Sequence, residues 1–85
     1  MIDGLIEIIG LNGTVVYSPN KKYLGMSGKI IDETKNMIMI HTNSGVKLIP
    51  KNICKFEIYK NKKVYTVNGL KLLRRSYERL EINHD

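Results

Sequence analysis

Nowhere does the chain approach the run of about 18 apolar residues that a membrane-spanning helix requires, so no span and no membrane partner are expected. The opening Met1-Ile2-Asp3-Gly4 has no positive leading region and no small-residue cleavage pattern, which argues against a secretory signal and for a cytoplasmic location. Cysteine is nearly absent. The single Cys54 cannot close an internal disulfide, and only His41 and His84 could join it around a metal. Structural zinc takes four donors from close Cys/His pairs, so no metal is expected and Cys54 reads as a small core residue in a reducing compartment. Catalytic signatures are missing too: there is no GxSxG, HExxH, P-loop or GxGxxG. Asp32 and Glu33 are adjacent, so on a strand they face opposite sides and cannot act as a carboxylate pair. Asp32 is read as a turn-shaping residue, and His41 as a surface histidine rather than a general base. The chain alone is expected to catalyse nothing and to bind no cofactor.

Acidic residues are also scarce, and here the argument turns to what is present. Fourteen Lys and Arg stand against eight Asp and Glu, for a net charge of +6 over 85 residues. Between residues 35 and 75 there are ten Lys or Arg and one acid, Glu57. That imbalance repels itself unless a polyanion relieves it, and nucleic acid does so through phosphate contacts and counterion release. A basic surface serving only solubility is the plainer alternative. A membrane surface fits less well, because the basic residues do not fall along an amphipathic helix.

The length allows one domain. Ile2, Leu5, Ile6 and Ile9 repeat at helical spacing, with Asp3 suited to a helix start and Gly10 to a stop, so residues 1–10 are expected to form a short helix. Two turns are marginal alone, so it must dock, on its own domain or on a partner. Strand signals follow. Thr14 to Tyr17 ends at Ser18-Pro19-Asn20, and Gly25 and Gly28 prepare a bulge or bend before Lys29 to Asp32. A turn at Thr34-Lys35-Asn36 leads into Met37 to His41, and Asn43-Ser44-Gly45 leads into Val46 to Ile49, closed by Pro50. Ile53 to Tyr59 alternates, with Cys54, Phe56 and Ile58 on one face. Asn61-Lys62 turns into Lys63 to Val67, and Asn68-Gly69 is a further turn signal. Residues 69–80 can be helical, with Leu73, Tyr77 and Leu80 on one face, and 81–85 form a frayed tail. The expectation is a mainly β domain: a small bent antiparallel barrel of about six strands over residues 11–68, with short N- and C-terminal helices.

Candidate RNA contacts are the cations near turns and at the C-terminal end: Lys21, Lys22, Lys29, Lys35, His41, Lys47, Lys51, Lys62, Lys63, Arg74, Arg75 and Arg79. Arg75 and Arg79 are four apart and share a helix face. With six aromatic residues in all, extensive base stacking is not expected, and recognition of folded RNA by shape and backbone is. Met37 and Met39 share a strand face opposite Ile38 and Ile40. That face is read either as an adaptable protein contact or as covered within the monomer.

The order Glu7-x-Ile9-Gly10-Leu11, Val15-Val16, then Leu24-Gly25-x-x-Gly28-Lys29-Ile30-Ile31-Asp32-Glu33-Thr34-Lys35-Asn36 resembles the archaeal ribonuclease P protein component 1 family. Val46 to Pro50-Lys51, Phe56, and Gly69, Leu72, Arg75, Arg79 and Leu80 extend the resemblance across nearly the whole chain. Arg74, Ser76 and Tyr77 depart from the family's usual C-terminal Gly, Pro and acid. The resemblance implies an Sm-like barrel and a subunit of the ribonucleoprotein that removes 5′ leaders from precursor tRNA, in which the RNA is the catalyst and uses Mg²⁺. It implies docking on the specificity domain of that RNA together with a zinc-ribbon protein subunit as heterodimer partner, among other ribonuclease P proteins. The partner interface would map to Ile2, Leu5, Ile6 and Ile9 and, on the Gly25–Ile31 strand, Met26 and Ile31. Alternatives are an Sm-type RNA chaperone, a ribosomal barrel protein and a module that binds only protein.

Overall fold

The computed structural model describes residues 7–73 of the chain. Six strands follow one another: β1 Asn12–Tyr17, β2 Ser27–Glu33, β3 Met37–Thr42, β4 Gly45–Pro50, β5 Lys55–Lys60 and β6 Lys63–Asn68, after which Gly69–Leu72 forms one 3₁₀ turn. All ladders are antiparallel, and the spatial order is β4-β3-β2-β1-β5-β6. Each expected strand is present within two residues of its expected bounds, because β-branched runs bounded by turn residues leave the backbone little alternative.

A single sheet must curl to cover its own apolar face. One core cluster joins Ile49 of β4 to Val67 of β6, with Val15, Ile30, Ile38, Ile40, Phe56 and Ile58 between them. Burying a side chain of this size stabilises by roughly 1.5–3 kcal/mol. Cys54 lies in the same cluster, as its apolar strand face implied. Two register shifts add to the bend, one between Val15 and Tyr17 and one between Ile30 and Asp32. Among the described residues no ladder joins β4 to β6.

Gly28 packs closely against the backbone of β3. A Cβ there would overlap the His41 carbonyl oxygen and lie 3.1 Å from Ile40 Cγ2. Asn68 caps the 3₁₀ turn, its Oδ1 accepting from the Leu70 N–H at 3.1 Å. The Asn68-Gly69 turn signal therefore marks the cap of this 3₁₀ turn. The Gly69 N–H donates to the Cys54 carbonyl at 2.8 Å, tying the turn to the β4–β5 connection.

The core also holds a buried ion pair. Lys51 Nζ lies 2.7 Å from Glu33 Oε1, with side-chain exposures of 0% and 2%. The same ammonium donates to the Thr34 carbonyl at 2.8 Å, and the Lys51 N–H donates to the Asn36 carbonyl at 2.8 Å. One lysine thus pins the β2–β3 turn to the start of the β4–β5 connection.

The expected N-terminal helix falls mostly outside the described residues, as does most of the expected C-terminal one. Where the N-terminal segment is described, Ile9–Gly10 is a turn and Ile8 is fully buried while Ile9 is 42% exposed. Helical spacing had selected Ile9 and passed over Ile8. The chain here is tied to β2 instead, with the Gly10 N–H donating to the Ile30 carbonyl and the Ile30 N–H to the Leu11 carbonyl.

Candidate nucleic-acid interface

Strand register fixes which side chains stand abreast on the outer face. Val46 of β4 pairs with His41 of β3, His41 with Lys29 of β2, Lys29 with Asn12 of β1, Asn12 with Tyr59 of β5, and Tyr59 with Val64 of β6. All six are exposed. Directly paired residues lie about 4.5–5.5 Å apart, so this is one continuous row across the whole sheet. Its centre offers an imidazole, an ammonium, an amide and a phenol, which are groups that bond phosphate and sugar oxygens. The next row carries Ser27 beside Thr14, their hydroxyls 2.9 Å apart, then Glu57 and Thr66. Tyr59 is steadied by its hydroxyl donating to Glu57 Oε1 at 3.2 Å.

Two cation–aromatic pairs lie outside this row. Lys22 Nζ stands 5.2 Å from the ring centre of Tyr23, and Lys55 Nζ 5.7 Å from that of Tyr17. Lys21 and Lys22 are exposed in the β1–β2 loop, held by the Lys22 N–H donating to Asn20 Oδ1. Lys35 is exposed on the β2–β3 turn, Lys62 and Lys63 at the β5–β6 hairpin, and Lys47 is half-buried on β4. Arg74, Arg75 and Arg79 lie outside the described residues, as do Ile2, Leu5 and Ile6.

Lys51 requires a correction. It was expected to contact RNA, yet its ammonium is wholly enclosed and spent on Glu33 and the Thr34 carbonyl. Asp32 also acts elsewhere than expected. Its Oδ1 accepts from the Glu33 N–H at 2.8 Å inside the β2 bulge, while Thr34 closes the turn through Oγ1, which accepts from the Met37 N–H. Asn12, Tyr59 and Lys55 were not selected from the sequence. The row containing the first two is a product of register, for which local composition carries no signal.

A second surface is apolar. Ile38 and Ile40 fill the core, and Met37 and Met39 are half-buried on the opposite face. Beside them Val46 and Leu48 are each 51% exposed, and a shallow depression is lined by Asp32, Glu33, Thr34, Met37, Met39 and Leu48. Ile9 and Ile31 are exposed on either side of the Gly10–Ile30 contact, whereas Met26 is half-buried against the core. Among the described residues no group of three or more His, Cys, Asp or Glu side chains is placed to hold a metal ion, and no helix is long and apolar enough to cross a membrane.

Comparison with known proteins matches residues 5–82 to the family of ribonuclease P/MRP, subunit p29. Ribonuclease P protein component 1 of Nitrosopumilus maritimus is 34% identical over 74 residues, covering 87% of this chain and 84% of that protein. The protein of the same name from Methanosphaera stadtmanae is 38% identical over 77 residues, covering 88% and 82%. A solved structure, Mth11, described as a homologue of the human RNase P protein Rpp29, aligns at TM-score 0.62 with 31% identity, over 86% of this chain and 96% of that one.

Proposed function

Because the chain belongs to the ribonuclease P/MRP subunit p29 family, we propose that it is the RNA-holding subunit of an archaeal ribonuclease P, itself non-catalytic, which steadies the folded RNA while that RNA removes the 5′ leader of precursor tRNA. The observation that carries this reading is the exposed row His41–Lys29–Asn12–Tyr59 on a strongly basic chain. Its groups can bond phosphate and sugar oxygens, which suits recognition by shape and backbone. Folded RNA crowds phosphates that Mg²⁺ must screen. Fixed lysines share that screening through the same counterion release that drives binding. The chain itself holds no cofactor in this reading, and Mg²⁺ serves the RNA.

In a cleavage assay reconstituted from ribonuclease P RNA and its protein subunits, adding this protein is expected to lower the Mg²⁺ concentration at half-maximal rate. An unchanged Mg²⁺ requirement removes the proposal.

The protein partner in this reading is the zinc-ribbon subunit, with which the chain sits on the specificity domain of the RNA in the cytoplasm. Ile31 and Ile9 support such an interface: they are 40% and 42% exposed, and the bulge lifts Ile31 out of the β2 ladder. Ile31→Asp places a charge there without touching the core. It is expected to abolish co-elution with the zinc-ribbon subunit at unchanged melting temperature, and retained co-elution moves the interface elsewhere.

A further inference from the structure

β5 and β6 are joined by only two residues. Lys60 pairs with Lys63, and between them Asn61 and Lys62 take φ values of 52° and 66°. Two-residue hairpin loops with both φ positive are type I′ turns, whose twist matches that of the flanking strands. The second position of such a turn is the place of glycine, since a Cβ on left-handed backbone crowds the neighbouring carbonyl. Asparagine tolerates that backbone, and lysine does so poorly. Elsewhere among the described residues the left-handed positions are filled by Gly10, Gly25 and Gly45. Lys62 is the exception.

Lys60, Lys62 and Lys63 lie within four residues of one another at this end of the hairpin. Lys62 and Lys63 are exposed at the tip. The strained backbone opposes folding here, and strain of this kind concentrates where a side chain is needed for binding. The hairpin projects directly from Tyr59 and Val64, which end the outer row. The row runs across the strands, and the Lys60–Lys63 pair at the tip is the next pair along β5 and β6, beside the end of the row. The cations are lysines, compact point charges on flexible stems that suit phosphate without demanding one geometry.

We propose that the β5–β6 hairpin tip is a phosphate-binding finger of the RNA surface, and that Lys62 occupies a glycine position because its ammonium contacts the RNA backbone. This rests on the reading of the chain as an RNA-holding subunit. It adds that stability and RNA affinity oppose each other at one named residue.

The test uses the full chain and ribonuclease P RNA transcribed from the same genome, with Lys62→Gly and Lys62→Gln. Lys62→Gly is expected to melt higher than the wild type by a few degrees, since glycine relieves the backbone. It should bind the transcript about three- to tenfold more weakly at moderate salt, with the slope of log affinity against log salt shallower by about one. Lys62→Gln, which keeps the backbone strain and loses the charge, should weaken binding equally without the gain of glycine. If Lys62→Gly melts no higher than the wild type, the strain argument fails and the proposal with it. If it melts higher but binds as tightly as a salt-sensitive wild type, the finger is overturned while the RNA-holding reading stands. If the wild type itself does not bind the transcript, both fall together.

Discussion

Lys51→Met is expected to destabilise the protein by about 3–5 kcal/mol, the range for removing one partner of a buried ion pair. Methionine nearly matches lysine in length, so little volume is lost and the effect is electrostatic. Glu33 would keep a charge inside the fold with its ammonium gone, and the Thr34 carbonyl would lose a donor at 2.8 Å. Urea denaturation measures the loss directly, and a cost below about 1 kcal/mol would mean that Glu33 finds water or another donor. The double variant Glu33→Gln/Lys51→Met is expected to recover much of the loss, because replacing both members removes the stranded charge. The pair serves the surface as well as the core. It fastens the Thr34–Asn36 turn to the β4–β5 connection, so in the single variant the exposed Lys35 loses its fixed position.

Gly28→Ala is the second large expected effect. Its Cβ would overlap the His41 carbonyl oxygen, which is backbone and cannot swing away as a side-chain tip would. Neither strand has freedom to retreat, since Gly28 lies opposite Gly13 on one side and the adjacent Lys29 is paired with His41 on the other. Overpacking in a close-packed region costs about 1–3 kcal/mol, occasionally more. Here it also forces β2 and β3 apart where Lys29 and His41 stand abreast. The variant is therefore expected to lose RNA affinity as well as stability, whereas Ser27→Ala, one residue away and exposed, should change stability by less than about 0.5 kcal/mol. Thermal melts with RNA titrations on the two variants check this. A Gly28→Ala protein with wild-type stability and affinity would show that the strands do not approach as closely as described.

The six strands and most of the core were legible in the sequence for one reason. Alternation in β3 and β5, with Ile38 and Ile40 or Cys54, Phe56 and Ile58 on one side, is a local property that burial then enforces. The buried Glu33 was not legible, although the separation of Asp32 from Glu33 was. Counting by twos from Ile30 puts Asp32 inward. The bulge at Ile31 inserts one residue and reverses the count, so Glu33 pairs with Ile38 on the core side and Asp32 with Met39 on the outside. A bulge is a property of two strands together, and a reading of β2 alone has no access to it. Lys51 was misplaced for the same reason. A lysine after a proline near a turn is ordinarily solvated, and only the inward Glu33 gives it a reason to be buried. At the N-terminal end, helical spacing selected Ile9, while the backbone bonds from Gly10 and Leu11 to Ile30 put Ile8 in the core.

The family motif, the basic charge, the β class and the faces of β3 and β5 were determined by the sequence alone, because each depends on residue types at short range. Tertiary structure decided which lysines are available and which groups stand side by side. Register across three ladders assembled His41, Lys29, Asn12 and Tyr59 from four strands spread over 48 positions of the chain, residues 12 to 59. Pairing between strands, whose partners stand 12, 17 and 47 positions apart, set that arrangement, and no single strand read by itself encodes it.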